Sequence, residues 1–368
     1  MRPFVFERAG SPAAAIMAAA GRAQGAGEAQ FLAGGTTLID LMKLDVMRPE
    51  IVIDINALDR TTLGRIEADA SRLRLGALVR MADAADHPVV RRDSYPVIAQ
   101  SLLLAASAQL RNMGSLGGNV LQRTRCTYFR DISYSACNKR NPGSGCAAMD
   151  GVNRMHAVLG TSDQCIATYP GDFAQALIAL DAEVEIIGPA GVRSLPFSAL
   201  HRMPGDAPDI ETTLRPAEII SSFFIPATPW ARRSLFVKVR DRESYEFALA
   251  SAAVALDLVD GLVRTSRIAL GGVATAPWRA ERAEDALRGK PVNEDTARSA
   301  AQAAFAGALP RQHNAFKIEL GKRTLVRALR GAAACRSDAR MENLTWRTPQ
   351  HLRPKPTWAN PRSGSTRA

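Results

Sequence analysis

Hydrophobic positions in the first third of the chain come in short runs whose period switches between two and about 3.6 residues. The alternation in "FVFERA" predicts a strand followed by a helix. "AQFLAGGTT" predicts a strand entering a glycine turn, "LIDLMKLD" an amphipathic helix and "EIVIDI" a buried strand, a βαβ rhythm. "RLRLGAL" is a short alternating strand, and "YPVIAQSLLLAASAQLRN" predicts one helix running into the glycine-rich turn "GSLGGNV". Farther on, "FAQALIALDAEVEIIG" predicts a helix leading into a strand, and "EIISSFFIP" another strand. Beyond the linker "ATPWARRS" lie three strand patterns, "LFVKVRD", "FALASAAVALDL" and "GLVRTSRIALGGV". Three Ala-rich helical segments follow, around "WRAERAEDALRG", "NEDTARSAAQAAFAGA" and "FKIELGKRTLVRALRG". A sheet followed by a run of helices is an α+β arrangement.

Composition changes this picture only at the edges. A chain of 368 residues has room for two or three domains, and 46% hydrophobic with 23% charged residues excludes wholesale disorder. No apolar run approaches the roughly 20 residues a bilayer-spanning helix needs. The Ala-rich start, "MRPFVFERAGSPAAAIMAAAGR", is interrupted by Glu7 and Arg8 and reads as strand and helix rather than an export leader. The formal charge of +11 invites a nucleic-acid reading, but seven Lys/Arg against two Asp/Glu after residue 335 place about +5 of it in one Pro-, Arg- and Ser-rich tail. The remainder has no basic stripe interleaved with aromatics, so no nucleic-acid partner is expected.

Two glycine turns are the first candidate chemistry. Gly34, Gly35, Thr36 and Thr37 lie between a strand and a helix, where glycine lets a ligand approach the backbone and free N–H groups attract phosphate oxygens. Gly114, Ser115, Gly117, Gly118 and Asn119 repeat the ingredients, so the pair suits a clamp on a diphosphate. The G-x-G-x-x-G spacing of a Rossmann site is absent. Alone, the first turn is a weak signal, and Gly-Gly followed by two threonines reads first as a bend with an N-cap.

The segment from Arg123 to Cys165 shows neither period and holds four of the five cysteines. Cys126, Cys137, Cys146 and Cys165 are separated by 10, 8 and 18 residues. Two disulfides, a zinc site and an iron–sulfur cluster are all open on this spacing, although zinc usually shows a tight C-x(2–4)-C pair. Arg125, Lys139 and Arg140 are candidates to offset the charge of a thiolate-ligated cluster. His156 reads as a hydrogen-bonded structural residue and Cys335 as an incidental thiol.

The order "FLAGGTTLIDLMK", "QLRNMGSLGGN", "LQRTRC…CNKRNPGSGCAAM…HAVLG…CIAT", "ALIALDAEVE", "VKVRDRESYEFALASAAVAL" and "IALGGVATAPWRAE" resembles one family, over about residues 1–334. It is similar to the FAD-binding medium subunits of molybdenum hydroxylases, the xanthine dehydrogenase and CO dehydrogenase flavoprotein group. Within that group it looks most like the FAD/[4Fe-4S] subunit of bacterial periplasmic aldehyde oxidoreductase, with its inserted cluster loop. The resemblance implies two α/β FAD-binding subdomains of the PCMH type over 1–228, with a [4Fe-4S] insertion at about 123–166. A C-terminal domain over 229–334 would carry a three-stranded sheet and a helical bundle, leaving 335–368 as a basic, flexible tail.

The resemblance also implies residue roles. Phe31, Leu32, Ala33, Gly34, Gly35, Thr36, Thr37 and Leu38 would wrap the FAD diphosphate. Ser115, Leu116, Gly117, Gly118 and Asn119 would form the second clamp, with Ala105 near the cofactor. Asp172 would be the acidic contact to FAD, Ile220 would pack on the isoalloxazine and Lys238 would sit beside it. Cys126, Cys137, Cys146 and Cys165 would ligate the cluster. The implied function is electron transfer from a large molybdenum-cofactor subunit and a small [2Fe-2S] subunit, in a heterotrimer that oxidises aldehydes to carboxylic acids, to an external acceptor. No general acid or base is expected here. The alternatives are a self-contained FAD oxidase, or a zinc- or disulfide-stabilised binding protein. The expected compartment is the periplasm, reached folded beside a twin-arginine-tagged partner, with the cytoplasm as the alternative.

Overall fold

The computed structural model describes residues 1–21, 28–91 and 94–335. The expectation of a flexible tail therefore falls, apart from Cys335, outside the described residues. The βαβ rhythm appears as β1 (Val5–Arg8), α1 (Pro12–Ala20), β2 (Ala29–Leu32), α2 (Leu38–Lys43) and β3 (Ile51–Asp54), with β3 central in a parallel sheet. Ile51 and Ile53 face α1 through Ala15 and Ala19, while Val52 faces α2 through Leu38 and Met42. Successive strand side chains point to opposite faces, so one short strand serves both layers.

The second layer begins with β4 (Ile66–Ala68) and β5 (Arg72–Gly76). Then come α3 (Met81–Asp86), α4 (Pro88–Arg91), α5 (Pro96–Leu103), α6 (Ala108–Met113), α7 (Leu116–Val120), α8 (Thr127–Arg130) and α9 (Phe173–Ala179). It closes with β6 (Glu183–Gly188), β7 (Gly191–Pro196) and β8 (Ile219–Pro226), in an antiparallel sheet ordered β4-β5-β8-β6-β7. Leu73, Leu75, Val184, Ile186, Phe223 and Ile225 form one core with α5 and α9. The single helix expected from Tyr95 to Asn112 is instead two. Ala106 takes a left-handed φ of 50°, and the Ser107 hydroxyl then caps α6 by accepting from Leu110 N at 3.3 Å. The turn expected at 114–120 winds into α7, capped by Ser115.

The C-terminal layer contains β9 (Ser234–Val239), β10 (Ala250–Val259), β11 (Leu262–Gly271) and β12 (Trp278–Arg279), antiparallel in the order β12-β11-β10-β9. The expected three strands thus gain a fourth, because Trp278 and Arg279 pair with Leu270 and Ala269 before the chain enters α10 (Glu281–Leu287). With α11 (Glu294–Ala304) and α12 (Phe316–Ala334), these strands share a second core. Phe236 N donates to Gln100 Oε1 of α5 at 2.8 Å, and Arg267 and Arg279 both bond Asp181 beyond α9. These contacts fix the C-terminal sheet against the layer that carries the second glycine turn. No helix among the described residues is long and apolar enough to cross a membrane.

Candidate functional site

The two glycine turns meet. A side chain on Gly34 would lie 2.0 Å from Met113 O, so only glycine lets the first turn rest on the end of α6. A polar clip holds them there: Arg80 donates to Met113 O at 2.6 Å and to Asn56 Oδ1 at 2.9 Å, and Asn56 Nδ2 donates to Ala33 O at 2.9 Å. Sequence reasoning missed Arg80 and Asn56, whose partners are backbone oxygens distant in sequence.

The turns open onto a cleft of about 520 Å³. Of the predicted residues, Thr36, Thr37, Ala105, Gly118, Asn119, Asp172 and Lys238 line it. Phe31, Leu32 and Ala33 belong to β2 and the turn after it, Gly35 holds a φ of 73°, and Leu38 is buried under β3. Leu116 and Gly117 are buried behind the cleft wall, and the Ser115 hydroxyl is committed to capping Gly118 N. Ile220 lies on β8 in the main core, away from the cleft lining. Arg125, expected to balance a cluster, instead lines the cleft with Arg130, and both bond Asp40; Arg130, Tyr245 and Phe247 are lining residues that no motif marks.

At the cleft floor, Lys238 Nζ bonds Asp172 Oδ2 at 2.7 Å and Leu104 O at 3.0 Å, with 1% and 4% exposure of the two ion-paired side chains. Burial pushes the Asp172 carboxyl above its usual range, and Lys238 opposes that shift. Buried polar atoms are normally hydrogen-bonded, yet Asp172 Oδ1, Asn119 Oδ1 and Arg125 Nε have no protein partner. A cleft of this size, with two close backbone turns and orphaned donors and acceptors, fits a large polar ligand such as a dinucleotide.

The cysteine segment is ordered by side-chain-to-backbone bonds. Arg140 donates to the carbonyls of Tyr128, Phe129 and Tyr134, and Asn138 Nδ2 donates to Gln164 O at 3.1 Å while its Oδ1 accepts from Gly145 N. Cys137 and Cys146 pair as a backbone bridge, as do Ser162 and Cys165. Cys126, Cys137, Cys146 and Cys165 are all free thiols, which removes the disulfide alternative. They lie close together: Cys126 feels both Cys137 and Cys146, and Cys165 hydrogen-bonds Cys146.

Cys126 and Cys137 pack with Leu41, Phe129 and Met47, and Cys126 and Cys146 with Ala148, Ile166 and Met149. Backbone N–H groups of Tyr128 and Phe129 face Cys126, those of Ala148, Met149 and Ile166 face Cys146, and Ala167 N donates to Cys165 Sγ at 3.4 Å. Burial pushes the Cys126 thiol up to about 12. Among the described residues, no three His, Cys, Asp or Glu side chains are gathered as ligands for a metal ion, so the expected ligand set is not assembled around a single point. Lys139 is drawn off to Glu211 at 2.8 Å, and Arg140 to the carbonyls above.

Two family models match the chain. Residues 5–228 match the FAD binding domain in molybdopterin dehydrogenase, and residues 236–332 match the CO dehydrogenase flavoprotein C-terminal domain. The chain belongs to this flavoprotein family. It is 47% identical over 337 residues, 91% of this chain and 99% of the other, to the aldehyde oxidoreductase FAD-binding subunit PaoB of Escherichia coli K12. It is 27% identical to the carbon monoxide dehydrogenase medium chain of Hydrogenophaga pseudoflava, over 83% of this chain and 90% of that one. Among solved structures it superposes on quinoline 2-oxidoreductase from Pseudomonas putida 86 with a TM-score of 0.68 and 25% identity, covering 90% and 97% of the two chains. Membership makes the chain an FAD-binding oxidoreductase subunit.

Proposed function

We propose that the chain is the electron-relay subunit of a molybdenum-dependent aldehyde oxidoreductase, carrying FAD in the cleft and a [4Fe-4S] cluster on Cys126, Cys137, Cys146 and Cys165. It would receive electrons from a large molybdenum-cofactor subunit and a small [2Fe-2S] subunit and deliver them to an external acceptor. The 47% identity to an aldehyde oxidoreductase FAD-binding subunit supports the substrate class, and relatives named medium chains support a multi-subunit assembly.

The observation that carries the cluster assignment is the donor set: four free thiols in one segment, with Cys126, Cys137 and Cys146 in apolar surroundings and Cys126, Cys146 and Cys165 met by backbone N–H groups, as suits thiolate-ligated sulfur. A cubane spreads its four thiolates over separate corners, so it does not ask for three ligands converging on one ion. When bound, flavin converts between single-electron and paired-electron transfer, and the cluster supplies a one-electron station. The chain's residues keep the two sites adjacent. Arg125 lines the cleft, and its neighbour Cys126 belongs to the thiol shell. A side cavity of about 280 Å³ runs from Cys126 and His156 to Phe247 at the cleft mouth.

Cys137→Ser should remove cluster absorbance, iron and sulfide while flavin stays bound. Full iron and sulfide in that variant would refute the ligand assignment, and a colourless wild-type protein would refute both cofactors. Export to the periplasm with a twin-arginine-tagged partner belongs to the same proposal, and fractionation of cells by osmotic shock tests it.

A further inference from the structure

Lys317, on α12, is wholly buried, with 0% exposure. Its ammonium donates to Met155 O at 3.0 Å and His156 O at 3.1 Å, and no carboxylate bonds it. Burial, with Arg154 adding repulsion, lowers it to about 7. A buried charge without a counter-ion is costly, and such groups are otherwise found paired.

The two carbonyls it holds lead back to the thiols. His156 is itself buried, and its Nε2 lies 3.1 Å from Cys126 Sγ. Asn314 Nδ2 bonds His156 O at 3.4 Å and Ala157 O at 3.1 Å, and His313 N donates to Asn153 Oδ1 at 2.9 Å. The turn entering α12 thus grips the loop that carries His156. The cations expected from the sequence to balance a cluster have partners of their own, Arg125 with Asp40, Lys139 with Glu211 and Arg140 with carbonyls, although the charge of Lys139 still acts on Cys165. Lys317, bonded through two carbonyls to the segment that holds His156, is a buried cation with no carboxylate among its hydrogen-bond partners.

We propose that His156, held from behind by Lys317 of the C-terminal domain, forms with it a positioning arm that raises the reduction potential of the cluster on Cys126, Cys137, Cys146 and Cys165. The proposal rests on the cluster reading above. A ligating thiolate has no proton to give, so His156 must carry its hydrogen on Nε2 and donate it to Cys126 Sγ. Reduction adds one electron and makes the cluster more negative. A hydrogen bond to its sulfur and a buried positive charge nearby both favour that reduced state. Neither residue touches iron; His156 acts through Cys126, and Lys317 acts through its charge and its hold on residues 155 and 156.

The test is a redox titration of the purified holo-complex followed by electron paramagnetic resonance of the reduced cluster, with iron, sulfide and flavin contents measured alongside. Lys317→Met and His156→Leu should each shift the reduction equilibrium toward the oxidised cluster by about tenfold, a drop of about 59 mV for a one-electron couple. His156→Gln, which retains an N–H donor, should restore most of the loss. A purely structural role would not separate Gln from Leu. Unchanged potentials in Lys317→Met and His156→Leu, with iron and sulfide retained, overturn the arm and leave the cluster reading standing. If Lys317→Met fails to fold, equal potentials in the Leu and Gln variants of His156 overturn it instead. Absence of iron and sulfide from the wild-type complex removes the cluster reading, and the arm falls with it.

Discussion

Asp172→Ala should cost the protein its flavin and about 3–5 kcal/mol of stability, the range for breaking one partner out of a buried ion pair. The pair qualifies because its two side chains are 1% and 4% exposed, so solvent screening does not soften the loss. Removing the carboxylate leaves the Lys238 ammonium buried against Leu104 O alone. It also removes Oδ1, the orphaned acceptor on the cleft floor. Urea unfolding and flavin absorbance of the purified protein separate these two effects. The double variant Asp172→Leu/Lys238→Met should recover most of the stability, because replacing both charges by apolar groups removes the uncompensated ion. Its flavin content should stay low. Flavin retained at the wild-type level by the double variant would show that the pair serves only the fold.

How far the sequence reveals the site depends on the length scale of the interaction. The β1-α1-β2-α2-β3 unit was legible because period-two and period-3.6 patterns are local, and Ile51, Val52 and Ile53 carry them without conflict. The helix across Tyr95–Asn112 was overextended because Ala106 is a good helix former in an unusual left-handed position. Ala106 lines the cleft, and its own side chain carries no signal for that conformation. The glycine turns and the four cysteines were visible as residue types. The clip of Arg80 and Asn56 was not, since its partners are backbone oxygens of Met113 and Ala33. Lys317 was hidden for a related reason. It sits in an amphipathic helix rich in Arg and Lys, where a cation normally reads as solvated, and only tertiary packing buries it. Charge balance at the cysteine segment reads in the sequence from the neighbours Arg125, Lys139 and Arg140, which the fold pairs with other groups.

Gly34→Ala should be the most damaging single-methyl change in the cleft. The added carbon would meet Met113 O at 2.0 Å, Met113 C at 2.7 Å and Gly114 Cα at 3.1 Å, all backbone atoms that no rotamer change can move. Relief requires the first turn to lift off the end of α6, which strains Arg80 and Asn56 and widens the gap between the two turns. Overpacking of this kind costs about 1–3 kcal/mol. FAD gripped by both turns should bind at least tenfold more weakly, since about 1.4 kcal/mol of misfit suffices for that factor. Gly118→Ala provides the contrast. Its new carbon would approach the Ser115 hydroxyl at 3.0 Å, and Gly118 itself lines the cleft, so the methyl intrudes on the ligand's space more than on the protein's. That variant should lose flavin affinity with little change in unfolding midpoint. Gly10→Ala, where nothing lies within 4 Å of the added carbon, should change neither. Equal stability losses at Gly34 and Gly118, read from denaturant midpoints of the apoproteins, would mean that the contact between the turns does not hold the cleft in shape.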